Sequence, residues 1–298
     1  MSRPILSAVI VNWNARDALL DCLRSFTDQE LDEPFEVIVV DNGSTDGSVE
    51  AVRTNFPWAR VIANPTNRGL PAANNQGMVA ATGDTLLICN PDVVFRKGAV
   101  AAMLATLSRH PRAGFVVPRI LYQDGTLATS AGDLPRLRDA LFGRQALRWV
   151  APGSASGFWW DGWPHDEERA IGRGHEAAYL VRLETVVEVG VQDERFPLDW
   201  EGADWTARAR RAGWEVWLSP AAEVIHLGGA SIRQVPGRWI ISSHLGMYRY
   251  FAKERPAWQR PLLAAAIGGR AGLKLCVAAA GAAIYERGHR SPTRRRRT

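Results

Sequence analysis

The sequence predicts an α/β fold, a mostly parallel central sheet flanked by helices, with a C-terminal helical appendage. Three observations carry this. Short apolar runs rich in β-branched residues alternate with stretches of helical periodicity, and the connections are brief; such repeats specify a parallel sheet with right-handed crossovers. The runs are apolar at nearly every position, as strands buried on both faces are. Four of them end in loops rich in amides and carboxylates, which a parallel sheet gathers along its carboxyl edge, where ligands bind.

In chain order, Ile5–Val11 is the first strand and stops at Asn12-Trp13-Asn14. Asn14 is placed to cap a helix from Ala15 to about Asp28, whose Leu19, Leu20, Leu23 and Phe26 share one face. Phe35–Val40 is the second strand and runs into Asp41-Asn-Gly-Ser-Thr-Asp-Gly-Ser48, where Gly43 permits a tight turn and Ser44 or Asp46 caps a helix to about Asn55. Arg60–Ala63 is the third, followed by Asn64–Gly69 and a helix from about Pro71 to Ala81. Leu86–Cys89 is the fourth. It must end at Asn90-Pro91-Asp92, because Pro91 has no N–H for a central ladder. Residues i and i+2 of an extended chain share a side, so Asn90 and Asp92 can grip one ligand or ion. A helix over Lys97–His110 and strands over Gly114–Pro118, Gly174–Arg182, Gly213–Leu218 and Pro220–His226 follow. Residues 124–165 carry little pattern beyond an aromatic cluster at Phe158–Pro164, suited to a sugar face, a membrane interface or a core.

Composition narrows the function. The chain has 36 basic and 31 acidic residues, but Arg287, Arg290 and Arg294 to Arg297 supply six of the former, leaving a body of 30 against 31. The body is thus no nucleic-acid binder by charge. Three dispersed cysteines, Cys22, Cys89 and Cys276, form no metal or redox motif and are expected reduced and mostly buried. The N-terminus lacks the pattern of a signal peptide. No GxGxxG follows the first strand, and GxxxxGK[ST], GxSxG and HExxH are absent, which argues against dinucleotide dehydrogenases, P-loop NTPases and two common hydrolase classes.

Val9-Ile-Val-Asn-Trp-Asn14, Val39-Val-Asp-Asn-Gly-Ser-Thr-Asp-Gly47, Asn67-Arg-Gly-Leu-Pro-Ala-Ala-Asn-Asn-Gln-Gly77 and Cys89-Asn-Pro-Asp-Val93 occur in that order. Together they resemble family 2 inverting glycosyltransferases of the GT-A fold, and within these the rhamnosyltransferase-like branch. The likeness spans about residue 5 to about residue 230 with a poorly matched middle. It implies a nucleotide-sugar donor. Asn12 and Asp41 would line the nucleobase pocket, with Asn42, Gly43 and Asp46 continuing its rim. Asn67, Gly69 and Asn74 would approach ribose and sugar, and Asn90 and Asp92 stand where the family carries its DxD-type element. Asn90 is neutral, so Asp92 is the better ligand for Mg²⁺ or Mn²⁺, with His226 completing the set. Such an ion neutralises the departing diphosphate. Gly174–Arg182 resembles the small-residue strand behind the sugar, where His175 and Glu176 are unexpected and Arg182 is a candidate phosphate partner.

An inverting transferase also needs a carboxylate that takes the acceptor hydroxyl proton. The family usually supplies it from Glu-Asp-x-Asp at a helix start. The matching residues are Glu201, Gly202, Ala203 and Asp204, and the base position itself is Gly202. Asp199, Glu201 and Asp204 remain as candidates. Asp204 is favoured, because related Trp-Gly-Gly-Glu-Asp sites place their base at the matching distance from the Trp; Glu201 is second.

The expected organisation is a GT-A domain over 1–235 (donor half about 1–120, acceptor half about 121–235), a helical segment over 236–286 and a basic tail over 287–298. Leu262–Ile284 is apolar but carries Arg270 and Lys274, which suits a helix lying in a membrane interface, or one packing on the domain, better than one crossing a membrane. The expected function is transfer of a sugar, with rhamnose from dTDP-rhamnose the candidate, to a glycan or lipid-linked acceptor in cell-envelope polysaccharide synthesis, in the cytoplasm at the inner membrane face. Nucleic acid is not an expected partner. Two rivals belong to other classes: a non-catalytic nucleotide-sugar binder, consistent with Gly202, and a sugar nucleotidyltransferase, which lacks its basic glycine-rich loop here.

Overall fold

The structure, a computed structural model, describes residues 5–29, 31, 34–138, 159–160, 162–197, 199–228, 236–253 and 255–289. The first four strands are β1 (Leu6–Asn12), β2 (Phe35–Asp41), β3 (Arg60–Ala63) and β4 (Thr85–Cys89). They pair in parallel in the order β3-β2-β1-β4, and the register sets Asn12 beside Asp41 and Asp41 beside Ala63. The polar strand ends therefore meet along one edge, as the sequence pattern requires.

Alternation along β1 explains why its run is apolar throughout. Ala8 and Ile10 face a core with Leu19, Leu23 and Phe26 of α1 (Arg16–Thr27), while Val9 and Val11 join the opposite core with Ala73 and Met78 of α3 (Leu70–Ala80). Each fully buried Val, Leu or Ile contributes about 1.5–3 kcal/mol. Gly77 lets α3 approach β1: a Cβ there would lie 2.2 Å from Val9 Cγ1. Two further helices, α2 (Ser48–Asn55) and α4 (Ala99–Arg109), complete the donor half.

Beyond β4 the chain departs from simple alternation. Val93–Phe95 forms a short strand β5, which pairs with the end of a strand far along the chain. Next come β6 (Ala113–Leu121), β7 (Ala131–Gly132), β8 (Arg169–Ile171), β9 (Arg173–Gly174) and β10 (Ala178–Arg182). The last strand, β11, is continuous over Glu215–His226, where the sequence suggests two; a register shift between Ser219 and Glu223 carries Pro220 past the ladder. The sheet runs β3-β2-β1-β4-β10-β6-β11-β5, with β8 beside β11. Six strands share one direction, while β10, β5 and β8 run against it.

Reversal of β10 has two consequences. Its first residues, and His175 and Glu176 just before them, come to the carboxyl edge of β4. Its last residue, Arg182, goes to the opposite edge beside Thr85, where it donates to the Ala113 and Leu107 carbonyls. Arg182 is therefore not a phosphate partner at this rim. Helices α5 (Leu183–Val189) and α6 (Glu201–Arg211) follow β10. The C-terminal α7 (Pro236–Ala252) and α8 (Arg260–His289) are not loosely appended: Met247, Phe251, Leu263 and Ile267 share a third core with Phe196, Trp200 and Ala203. Within this region Ala257–Ala279 is long and apolar enough to cross a membrane by length and composition, and Leu262, Leu273 and Val277 on it are exposed. Residues 139–158 and 290–298, which include Phe158 of the aromatic cluster and most of the basic tail, lie outside the described residues.

Candidate active site

The rim begins with Asn12, fully buried, and Asp41, at 2 % exposure. The Asn12 amide donates to Asp41 Oδ2 at 3.0 Å and to Ser44 Oγ at 3.1 Å, and the Ser44 N–H donates to Asp41 Oδ1 at 2.9 Å. Asn12 Oδ1 is buried and finds no donor among the described residues. Buried acceptors are rarely left unpaired, so this atom marks a place for a donor group from a ligand.

Asn14 does not cap α1. It has φ of 49°, and its Oδ1 accepts from the Thr45 N–H at 2.8 Å, tying the loops after β1 and β2 together. Asp46 provides for both helix starts instead, accepting from the Arg16 N–H at 2.9 Å and the Ser48 N–H at 3.1 Å. Against burial, which raises it, hydrogen bonds from Ser48 and Arg16 hold the Asp46 carboxyl below its usual range.

Asn42 is occupied within the protein. Its Nδ2 donates to Asn67 Oδ1 at 3.0 Å and to the Gly69 carbonyl at 3.2 Å, and its Oδ1 accepts from the Arg68 N–H at 2.9 Å. It positions the rim rather than offering itself to a ligand, and Asn67 is its partner in that. Gly43, at φ of 81°, lets the two loops close: a Cβ would lie 2.8 Å from the Thr66 backbone. Gly69, also at positive φ, precedes α3. Asn74 turns away from the expected sugar and donates to Gln192 Oε1 at 2.9 Å, while Asn75 holds the Gln192 backbone through both N–H and carbonyl. These two amides fasten the 190–195 loop to α3, because the helix buries that face.

At the β4 end the Asn90 N–H donates to the Ala177 carbonyl at 2.9 Å. Asp92 lies just before β5, and β5 pairs with the end of β11, so Asp92 meets His226 with Oδ1 at 3.2 Å from Nε2. The two expected ligands, 134 positions apart in the chain, are thus side by side. No three ligand-type side chains converge among the described residues. A carboxylate and an imidazole are donors that would suit a divalent ion if the donor and solvent supplied its remaining ligands. His175 stands 5.3 Å from His226, ring to ring. Burial first, then the charges of His226 and Arg173, lower His175 to about 3, so its ring is neutral.

The acceptor-side carboxylates do not share one environment. Asp204, favoured above as the base, is 2 % exposed and doubly ion-paired: Arg208 Nε donates to Oδ2 at 3.0 Å and Lys253 Nζ to Oδ1 at 2.6 Å. It faces the C-terminal helices, and its two ion pairs fasten α6 to the end of α7. Glu201 is sealed at 3 % exposure, with Oε2 unpartnered among the described residues. Burial, then the Glu176 and Asp199 charges, push Glu201 well above the usual carboxylate range. Asp199 is half-buried, and burial followed by the Glu176 charge raises it to about 6. Asp199 and Trp200 are consecutive non-glycine residues at positive φ, 61° and 72°. Strain of this kind costs about 1–3 kcal/mol per residue and collects at functional sites. Glu176, which sequence reasoning left unassigned, joins them: its Oε1 accepts from Arg173 Nη2 at 2.8 Å and the Ala203 N–H at 3.2 Å. The available signal was the pairing of two departures, an unexpected Glu on a small-residue strand and an unexpected Gly at the helix start.

A cavity of about 490 Å³ opens between the 193–196 loop and the C-terminal helices, lined among others by Arg195, Phe196, Tyr248, Arg249, Lys253 and Arg260. It lies on the α7 side, away from the Asn12–Asp41 rim. Hydrogen bonding from Arg195 and then Lys253 holds the Asp193 carboxyl at its wall well below the usual range.

Comparison with known proteins agrees with this architecture. The family model described as Glycosyl transferase family 2 matches residues 7–160. An N-acetylglucosaminyl-diphospho-decaprenol L-rhamnosyltransferase of Mycobacterium tuberculosis is 30% identical over 285 residues, which cover 91% of each chain. Among solved structures, the mannosyltransferase PcManGT of Pyrobaculum calidifontis, in complex with GDP-Man and Mn²⁺, superposes with a TM-score of 0.56 at 21% identity, over 97% of this chain and 80% of that one. S. aureus TarS 1-349 in complex with UDP gives 0.52 at 15% identity, over 87% and 69%. These two show that the fold is shared.

Proposed function

The chain belongs to glycosyl transferase family 2, and from that premise we propose that it transfers rhamnose from a dTDP donor, with inversion, to a lipid-linked diphosphate-sugar acceptor of cell-envelope polysaccharide synthesis. It is a glycosyltransferase of the GT-A fold; donor, acceptor and residue roles are inferred. One observation carries the substrate reading: the relative aligned over 91% of each chain is named for rhamnosyl transfer to N-acetylglucosaminyl-diphospho-decaprenol.

The site supplies the means. The unpaired Asn12 Oδ1 and the Asp41 carboxylate would accept from the N–H groups of a base. Asn42, Gly43, Asp46, Asn67 and Gly69 would hold that pocket in shape, and Asn90, tied by its N–H to the Ala177 carbonyl, would face the donor from the β4 end. Asp92 and His226 would hold a divalent ion, Mg²⁺ or Mn²⁺, which when bound offsets the charge of the departing diphosphate. The cationic and aromatic lining of the 490 Å³ cavity suits an anionic acceptor.

The test is turnover. Purified protein with Mg²⁺ or Mn²⁺, dTDP-rhamnose and a short-chain polyprenyl-diphosphate-GlcNAc is expected to yield an inverted rhamnoside. Binding of nucleotide-sugars without transfer or slow hydrolysis, across a panel of donors and acceptors, would reduce it to a binder.

The exposed apolar surface of α8 and the arginines after it support a peripheral place on the inner membrane face, each Arg adding about 1 kcal/mol near anionic lipid. Deleting residues 287–298 is expected to lower co-sedimentation with phosphatidylglycerol vesicles. Unchanged sedimentation removes the electrostatic part of this reading.

A further inference from the structure

We propose that Glu176 is the catalytic base of this chain, its carboxylate standing in the space left empty by the missing side chain of Gly202. The inference rests on the glycosyl-transfer reading and adds a residue to it.

Gly202 is the second residue of α6, buried and not at positive φ, so its backbone does not call for glycine. Glycine in a helix costs up to about 1 kcal/mol relative to alanine, and something must offset that. A Cβ at 202 would lie 2.6 Å from Glu176 Cγ, 2.8 Å from Cδ and 3.0 Å from Oε1. The volume a side chain at 202 would fill is filled by Glu176, which arrives from the loop before β10. Glu176 thus offers a carboxylate from the strand side in the space that a side chain at 202 would reach from the helix.

Glu176 is also held as a base should be. Arg173 and the Ala203 N–H converge on Oε1 and fix the side chain over the start of α6. Its side chain retains 17 % exposure, whereas those of Glu201 and Asp204 are sealed and Asp204 is spent on Arg208 and Lys253. Of these three, only Glu176 can touch an incoming hydroxyl without rearrangement. It follows His175 directly, and His175 packs on His226 of the Asp92 pair, so Glu176 lies between the donor edge and the acceptor helix. Glu201 Oε2, behind it, is buried without a partner among the described residues. Burial and then the charge of Glu176 push the Glu201 carboxyl well above the usual range.

In the step assigned to it, the acceptor O–H bond breaks and its proton passes to Glu176. The oxygen forms a bond to the anomeric carbon, the bond from that carbon to the diphosphate breaks, and the electron pair leaves with the diphosphate.

The test exchanges the two positions. Glu176→Gln preserves shape and should lower transfer by about 10²- to 10⁴-fold, the usual worth of a general base, while the thermal shift given by dTDP-rhamnose persists. Gly202→Asp alone should be inactive, because it drives a side chain into Glu176. Combining Glu176→Gly with Gly202→Asp returns a carboxylate to the same space from the helix, and should transfer at least about tenfold faster than Glu176→Gly. A purely structural Glu176 would not be rescued in this way. The proposal is overturned if Glu176→Gln transfers within about threefold of wild type, or if the exchanged double variant binds donor yet is no faster than Glu176→Gly. Should Glu176→Gln fail to bind donor, the comparison of Glu176→Gly with the double variant decides alone. Wild-type protein that transfers no sugar defeats the glycosyl-transfer reading instead, an outcome distinct from loss of the base.

Discussion

Replacing Asp92 with alanine is expected to lower transfer by about 10²- to 10³-fold, since a divalent ion at a departing diphosphate is worth several kcal/mol. The reason is that the protein offers so few ligands. Asp92 and His226 stand 3.2 Å apart, and no third ligand-type side chain joins them among the described residues. Loss of that carboxylate leaves one imidazole to hold a dication. Titration of transfer rate against Mg²⁺ or Mn²⁺ is the measurement: wild type should saturate, and Asp92→Ala should show a small, metal-independent remainder. A variant that keeps metal-stimulated turnover would show that the ion is held elsewhere. The sparse ligand set further implies weak metal binding without donor.

Asp204→Ala is expected to cost on the order of 3 kcal/mol of stability, less than a fully sealed pair would lose because Lys253 and Arg208 both reach water. For a chain of this length that corresponds to a melting temperature lower by roughly 5 °C. Removal of the carboxylate leaves Arg208 without its ion pair and Lys253 with Asp193 alone, beside the core formed by Trp200, Ala203, Met247 and Phe251. Transfer per folded molecule should survive at low temperature. An unchanged melting curve with transfer abolished would restore Asp204 as the base.

The contrast between Asp204 and Glu176 shows where sequence reasoning reached its limit. Glu201 and Asp204 are three apart in the sequence, and spacing places them on one helix face. Spacing does not say what that face meets. Lys253, supplied 49 residues later, occupies Asp204. Glu176 was visible only as an oddity, because its relation to Gly202 is a contact across 26 positions and between a strand loop and a helix. The rim amides follow the same rule. Asn12, Asp41, Asn90 and Asp92 lie at strand ends, where the pattern puts them. Asn42 and Asn74 share the neighbourhood but are consumed by Asn67, Gly69 and Gln192.

What the sequence by itself determined was the α/β class, the strand–helix order of the donor half, the edge where polar residues collect, and the family. These follow from periodicity and strand-end chemistry, which are local. The tertiary structure alone decided which polar groups are free to act. Reversal of β10 carried Glu176 to the rim and Arg182 away from it, pairing of β5 with β11 joined Asp92 to His226, and packing of α7 on α6 set Asp204 against Lys253. The physical reason is that a carboxylate's role is set by the charges and space around it, and here those come from residues distant in the chain.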